Sequence, residues 1–188
     1  MTLTPVVNLI LGSLTVAGQA VILLIALSMI WRQVKVLEFF GKNAVLFSFL
    51  AALVATLGSL FYSEVAGYEP CKLCWFQRIF MYSQVVLLGI ALGRKSYEKY
   101  ESITLSAVGA AIAGYHYLLQ VGEAPGLPCA AVGYSVSCSQ RFVMTLGYIT
   151  IPMMALTAFV MITSFFLAQS FLSRSKSAKA NSWQTQKL

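Results

Sequence analysis

Residues 6–30, 44–65, 76–92, 103–121 and 148–172 form five long apolar runs that carry no Lys or Arg except Arg78. A helix needs about 20 residues to cross a hydrocarbon core of roughly 30 Å. In lipid the backbone must satisfy its own hydrogen bonds, so the runs predict helices rather than loops. Pro70 tolerates a missing N–H at a helix start, so the third helix should begin at the turn around Cys71. The chain therefore reads as an all-α integral membrane protein. From residue 44 onward a four-helix bundle accounts for the pattern, with one additional N-terminal transmembrane helix at its edge.

The polar intervals are mostly short. "WRQVKVLEFFGKN" and "GRKSYEKYES" predict tight links between antiparallel neighbours. "GEAPGLPCAAVGYSVSCSQRFVMTLG" carries Pro and Gly and predicts an irregular loop over residues 122–148. The tail from residue 173 lacks apolar periodicity and is expected to be disordered. Small residues recur every fourth position at Ala51, Ala55, Ser59 and Ser63, and again at Ser102, Ser106, Ala110 and Gly114. Such stripes let helices approach closely in lipid and predict packing faces, not sites. The division expected is residues 1–43 as extra helix and link, 44–172 as the membrane domain, and 173–188 as the tail.

Composition sharpens this picture. The chain has 188 residues, is 59% hydrophobic and only 10% charged, which excludes an ordinary soluble domain. The net charge of +7 first suggests nucleic acid, but its distribution does not. Arg32, Lys35 and Lys42 fall between the first two runs, and Arg94, Lys95 and Lys99 between the third and fourth. Arg174, Lys176, Lys179 and Lys187 follow the last run. These cations all share one side of the bilayer, the cytoplasmic side by the positive-inside rule. The first run lacks a cationic lead and a small-residue cleavage site, so it is expected to be a retained span with an external N-terminus.

With that orientation Cys71, Cys74, Cys129 and Cys138 all lie outside or at the outer interface, where thiols can be oxidised. Four cysteines permit three pairings. Three uses compete. A Cys₄ zinc site fits poorly, because the second pair is spaced Cx₈C. A structural staple between Cys71 and Cys74 closes almost no loop. A redox pair explains the small loop, the helix N-terminus that favours a thiolate, and Arg78 one turn beyond Cys74. Arginine this deep is a functional candidate, with snorkelling as its bland alternative. His116, the single histidine, lies inside the fourth run, where it could hydrogen-bond a small carbonyl compound such as a lipid-soluble quinone.

"PCKLCWFQR" opening a span, a His near the end of the next span, and a "PC…SC" loop together resemble the DsbB family. "LCWFQRIFMY" and "GYITIPMMAL" are especially similar to its short Gram-positive BdbC type. The resemblance covers residues 44–172. It implies a quinone-linked thiol oxidase of the bacterial cell membrane that uses ubiquinone or menaquinone. The implied partner is an extracytoplasmic DsbA-like thioredoxin-fold protein. It also implies disulfides Cys129–Cys138 and Cys71–Cys74. The partner attacks Cys129, Cys138 passes the exchange to Cys71, and Cys74 meets the quinone beside Arg78, with His116 near the same ring. No metal is implied.

Two departures stand out. The Cx₈C loop is short for the family, which puts the order of thiol handovers in doubt, and the N-terminal span has no counterpart in the core pattern. Two other families of function share parts of this pattern. Vitamin K epoxide reductase-like enzymes also combine CxxC with loop cysteines in a helical bundle, but there the loop pair precedes the CxxC. A non-enzymatic membrane scaffold with structural disulfides is the second.

Overall fold

The computed structural model describes residues 3–94, 99–122 and 137–185, with side chains as far as Ser173. Six helices make up the described chain: α1 (Leu3–Ile30), α2 (Val34–Lys42), α3 (Ala44–Leu60), α4 (Lys72–Arg94), α5 (Lys99–Val121) and α6 (Ile151–Thr185). A π-helical turn, Phe61–Val65, extends α3. Five segments are long and apolar enough to cross a membrane, and they coincide with the five runs read from the sequence. The chain is a multi-pass helical membrane protein.

Helices α3, α4, α5 and α6 pack as a ring of neighbours, and α1 leans on the outer side of α6. The seam between α4 and α5 is held by a polar cluster. Ser102 Oγ donates to Gln84 Oε1 at 2.6 Å. Gln84 Nε2 donates to the Ser102 carbonyl at 2.7 Å and to Ser106 Oγ at 2.6 Å. Every polar group in that buried cluster is answered, which its position inside an apolar bundle requires. Further along α5, Gly109 lets the ring of Phe159 fill the space where a Cβ would sit.

Three expectations change. The first link is not a bare connection, because Val34–Lys42 is helical. Leu37 and Gly41 are buried on one face, while Lys42 pairs with Glu38 at 2.8 Å on the other. Phe40 stacks on Phe165 with ring centroids 5.7 Å apart, which fastens α2 to α6. As a result α1 and α3 do not close into a tight hairpin: α1 rests on α6 and α2 instead. Finally, α6 runs to Thr185, through most of the tail expected to be disordered. The tail contains neither Gly nor Pro, so nothing in it ends a helix already under way.

Candidate active site

Cys71 directly precedes α4, and its carbonyl accepts from Trp75 N–H at 3.1 Å, so it occupies the helix entry. One turn of helix brings Cys74 beneath it. Both are thiols here, and the Cys71 S–H donates to Cys74 Sγ across 3.3 Å. That direction makes Cys71 the proton holder and Cys74 the acceptor. The Cys71 thiol is pushed up to about 12, first by this hydrogen bond and then by burial. The pair is therefore asymmetric, with Cys71 the donor at the helix entry and Cys74 the acceptor in the first turn of α4.

His116 lies buried between the CxxC turn and Cys138. Its Nε2 sits 3.0 Å from the Cys138 carbonyl and 3.7 Å from Cys71 Sγ. A carbonyl can only accept, so Nε2 carries the proton, and Nδ1 accepts from Gln77 Nε2 at 2.9 Å. The imidazole thus joins α4, α5 and the Cys138 segment. Two further contacts fasten that segment to the end of α5. Gln120 Nε2 donates to the Gln140 carbonyl at 3.0 Å, and Arg141 Nε to the Gln120 carbonyl at 2.6 Å. Cys71, Leu119 and Cys138 are packed into one buried cluster. Cys129 lies outside the described residues.

Cys74 faces a second space as well. A partly open cavity of about 460 Å³ runs between α1, α3, α4 and α6, and Cys74, Gln77 and Arg78 line it near the CxxC end. Its lining on α3 extends from Phe47 to Ser59, roughly 18 Å at 1.5 Å per residue, and continues to Tyr62 on the π-turn. Arg78 is held at the wall. Its Nε donates to Ser59 Oγ at 3.0 Å, and one Nη2–H to the Ser59 carbonyl at 3.1 Å. The guanidinium lies over the Trp75 ring, 5.3 Å from its centroid. A guanidinium has five N–H donors, so those two bonds fix its plane and leave donors for a ligand. Tyr62, Tyr68 and Phe142 stack in sequence across the mouth, with centroids 5.9 and 4.9 Å apart. The π-helical turn that carries Tyr62 forms this corner, a feature often found at functional sites.

The sequence-predicted residues therefore separate into two groups. Cys71, Cys74 and His116 line a small thiol pocket, and Cys138 packs with Cys71 beside it. Cys74 and Arg78 line the large cavity, and His116 does not. The imidazole expected beside the same ring as Arg78 lies against Cys71 Sγ and the Cys138 carbonyl, in the thiol pocket. Donor atoms of Cys71, Cys74 and His116 also lie within 4.8 Å of one another, a spacing that suits a thiophilic metal. The Nε2 atom, however, is committed to a carbonyl. The sequence pattern places Ser59 in a packing stripe and points to no role for Gln77. The available signals were a hydroxyl facing the arginine-bearing helix and an amide inside a span, where polar groups are expensive.

The model for disulfide bond formation protein DsbB matches residues 41–169, more than two thirds of the chain. The chain belongs to the DsbB family. It is 43% identical over 122 residues to a probable disulfide formation protein C of Bacillus cereus, covering 64% of this chain and 87% of that protein. Disulfide bond formation protein C of Bacillus subtilis is 42% identical over 133 residues, 66% of this chain and 92% of its own length. An SPbeta prophage-derived disulfide bond formation protein B of B. subtilis is 36% identical over 141 residues, 74% and 93% of the two chains. No solved structure matches. Membership of the DsbB family places the chain's role in disulfide bond formation. The DsbB match begins at residue 41, so all of α1 lies outside it.

Proposed function

We propose that this protein is a membrane thiol:quinone oxidoreductase that reoxidises an extracytoplasmic DsbA-like thioredoxin-fold protein and delivers the electrons to ubiquinone or menaquinone. One observation carries the reading: Cys74 lines both the thiol pocket and the large cavity, whereas Cys71 lines only the pocket. Electrons arriving by thiol exchange at Cys71 thus have a single step to an apolar site. The cavity fits an isoprenoid quinone, with charged and hydroxylic groups at one end and apolar side chains along the remainder. When bound there, the quinone supplies a sink for two electrons and two protons.

In the resting protein the disulfides are Cys71–Cys74 and Cys129–Cys138. A partner thiolate attacks Cys129 and releases Cys138. The second partner thiolate then resolves the mixed disulfide, which leaves the partner oxidised and both loop cysteines reduced. Cys138 attacks Cys71, Cys74 departs as thiolate, and Cys129 displaces Cys71 to restore the loop disulfide. The reduced Cys71–Cys74 pair gives its two electrons to the quinone and becomes a disulfide again. His116 holds the Cys138 backbone beside Cys71 for the handover, in the tautomer set by Gln77. Arg78 lies one turn from Cys74 and stabilises the thiolate together with negative charge developing at the polar end of the cavity. The cation distribution supports an extracytoplasmic position for the CxxC end.

The test is turnover of purified protein with a reduced thioredoxin-fold partner and quinone, followed by quinone absorbance. One quinol per partner disulfide is expected. Cys129→Ser should abolish partner oxidation while quinone still oxidises Cys71 and Cys74. Retention of partner oxidation in that variant would contradict the relay.

A further inference from the structure

We propose that α1, the helix outside the DsbB match, forms the wall that receives the isoprenoid tail of the quinone, so that Leu14 and Val21 help to set the tail preference. The inference rests on the cavity being the quinone site and extends that reading to a helix the family pattern does not account for. Apart from Thr15 and Thr157, whose hydroxyls are bonded to carbonyls of their own helices, the polar side chains along the cavity gather toward the CxxC end, around Cys74, Arg78, Ser59 and Tyr82. The opposite end is closed by Phe40, Phe47 and Phe165. A ligand that fills this space has a polar head and a long apolar body.

Leu11, Leu14, Gly18 and Val21 supply one side of that apolar length, and their spacing places them on one face of α1. Thr15 lies beside them, but its hydroxyl is bound to the Leu11 carbonyl at 2.7 Å, which satisfies its polar group within the helix. Because α1 rests on α6 and does not close against α3, the space between α1 and α3 stays open along the cavity. Leu11 reaches α3 beside Gly58 at the CxxC end.

The register of α1 is fixed, which a plain anchor would not need. Tyr62 OH donates to Asn8 Oδ1 at 3.0 Å, and Tyr148 OH to Gln19 Oε1 at 2.8 Å. Gln19 Nε2 reaches Thr157 Oγ1 at 3.4 Å. Amides inside a span are expensive unless paired, and here each pairs with the core bundle. A Cβ on Gly18 would come within 3.3 Å of Thr157 and Met161, so the helix also approaches α6 closely at the level of Gln19. Those contacts turn the Leu14 and Val21 face toward the cavity.

The experiment compares two benzoquinones with one headgroup, one tail-less and one carrying several isoprene units, using full-length protein in nanodiscs. Leu14→Phe and Val21→Phe should lower the ratio of kcat/KM for long-tailed over tail-less quinone by about tenfold, the value of roughly two buried methylenes. An unchanged ratio would overturn the proposal. As a check independent of folding in the variants, a quinone with a diazirine in its tail should label wild-type residues 11–21. Labelling confined to α3–α6, or to lipid only, would overturn it equally. If wild-type protein reduces neither quinone, the oxidoreductase reading itself fails, an outcome distinct from both.

Discussion

Helix α4 presents two polar faces that meet different fates. Toward α5, Gln84 is enclosed by Ser102 and Ser106, and each polar atom in that cluster has a partner. Toward α3, Arg78 is held by Ser59 through two of its five donors, and the adjoining space is a cavity. The two opposing helices bear similar stripes of small residues, Ser102–Ser106–Ala110 on α5 and Ala51–Ala55–Ser59 on α3. What differs is the filler. The α5 side receives large groups such as the Phe159 ring at Gly109, whereas the α3 side is left as a channel wall. A satisfied seam confers structure, whereas a partly satisfied charge beside an apolar cavity is what the proposed quinone site would use.

The sharpest way to break this comparison is Arg78→Ala. Loss of a charge-assisted contact to the thiolate and reduced quinone is expected to cost about 1.5–3 kcal/mol, or roughly 10- to 150-fold in quinone turnover. Partner exchange at the loop should persist. Wild-type quinone reduction in a folded Arg78→Ala protein would reduce the arginine to a snorkelling anchor. On the opposite face, Gln84→Ala strips Ser102 and Ser106 of their partner and should cost about 1–3 kcal/mol of stability. Thermal unfolding in detergent measures this, and an unaltered midpoint would mean the seam is not structural.

Ser59→Ala sharpens the boundary between the two roles. The backbone carbonyl of residue 59 still holds Nη2, so Arg78 loses only its Nε contact and Tyr82 its long hydroxyl contact, about 1 kcal/mol or roughly fivefold in quinone turnover. An effect on stability alone would return Ser59 to the packing stripe. The smallest change concerns pH. Because Cys71 is protonated up to about 12 by donating to Cys74, its alkylation in reduced wild-type protein should rise only at strongly alkaline pH. Cys74→Ala removes the acceptor that favours the protonated form, so the midpoint should move down. A midpoint that stays in place would show that burial, not the pair, controls Cys71.

Much of this was legible in the residues. Continuous apolar runs have one solution in lipid, so the five spans followed, as did the CxxC turn and Arg78 on the face of Cys74. What escaped depended on contacts between distant segments. Nine residues of α2 resemble a linker until Leu37 and Phe40 find α6. The π-turn that sets Tyr62 leaves no periodic trace. His116 was visible as a lone intramembrane imidazole, but which side of α4 it faces is decided by the Cys138 carbonyl, 22 residues away. Ser59 has the same chemistry as Ser102, and only the α4 residue each one meets, Arg78 or Gln84, distinguishes them.

The central claim is that Cys74 is the point where electrons leave the protein for the cavity, and a single turnover tests it directly. A Cys129→Ser, Cys138→Ser protein, reduced and freed of reductant, retains only Cys71 and Cys74. Mixed with quinone and no partner, it should form one Cys71–Cys74 disulfide and one quinol per chain, read by mass spectrometry and quinone absorbance. A folded protein that keeps both thiols while the quinone stays oxidised would contradict the account.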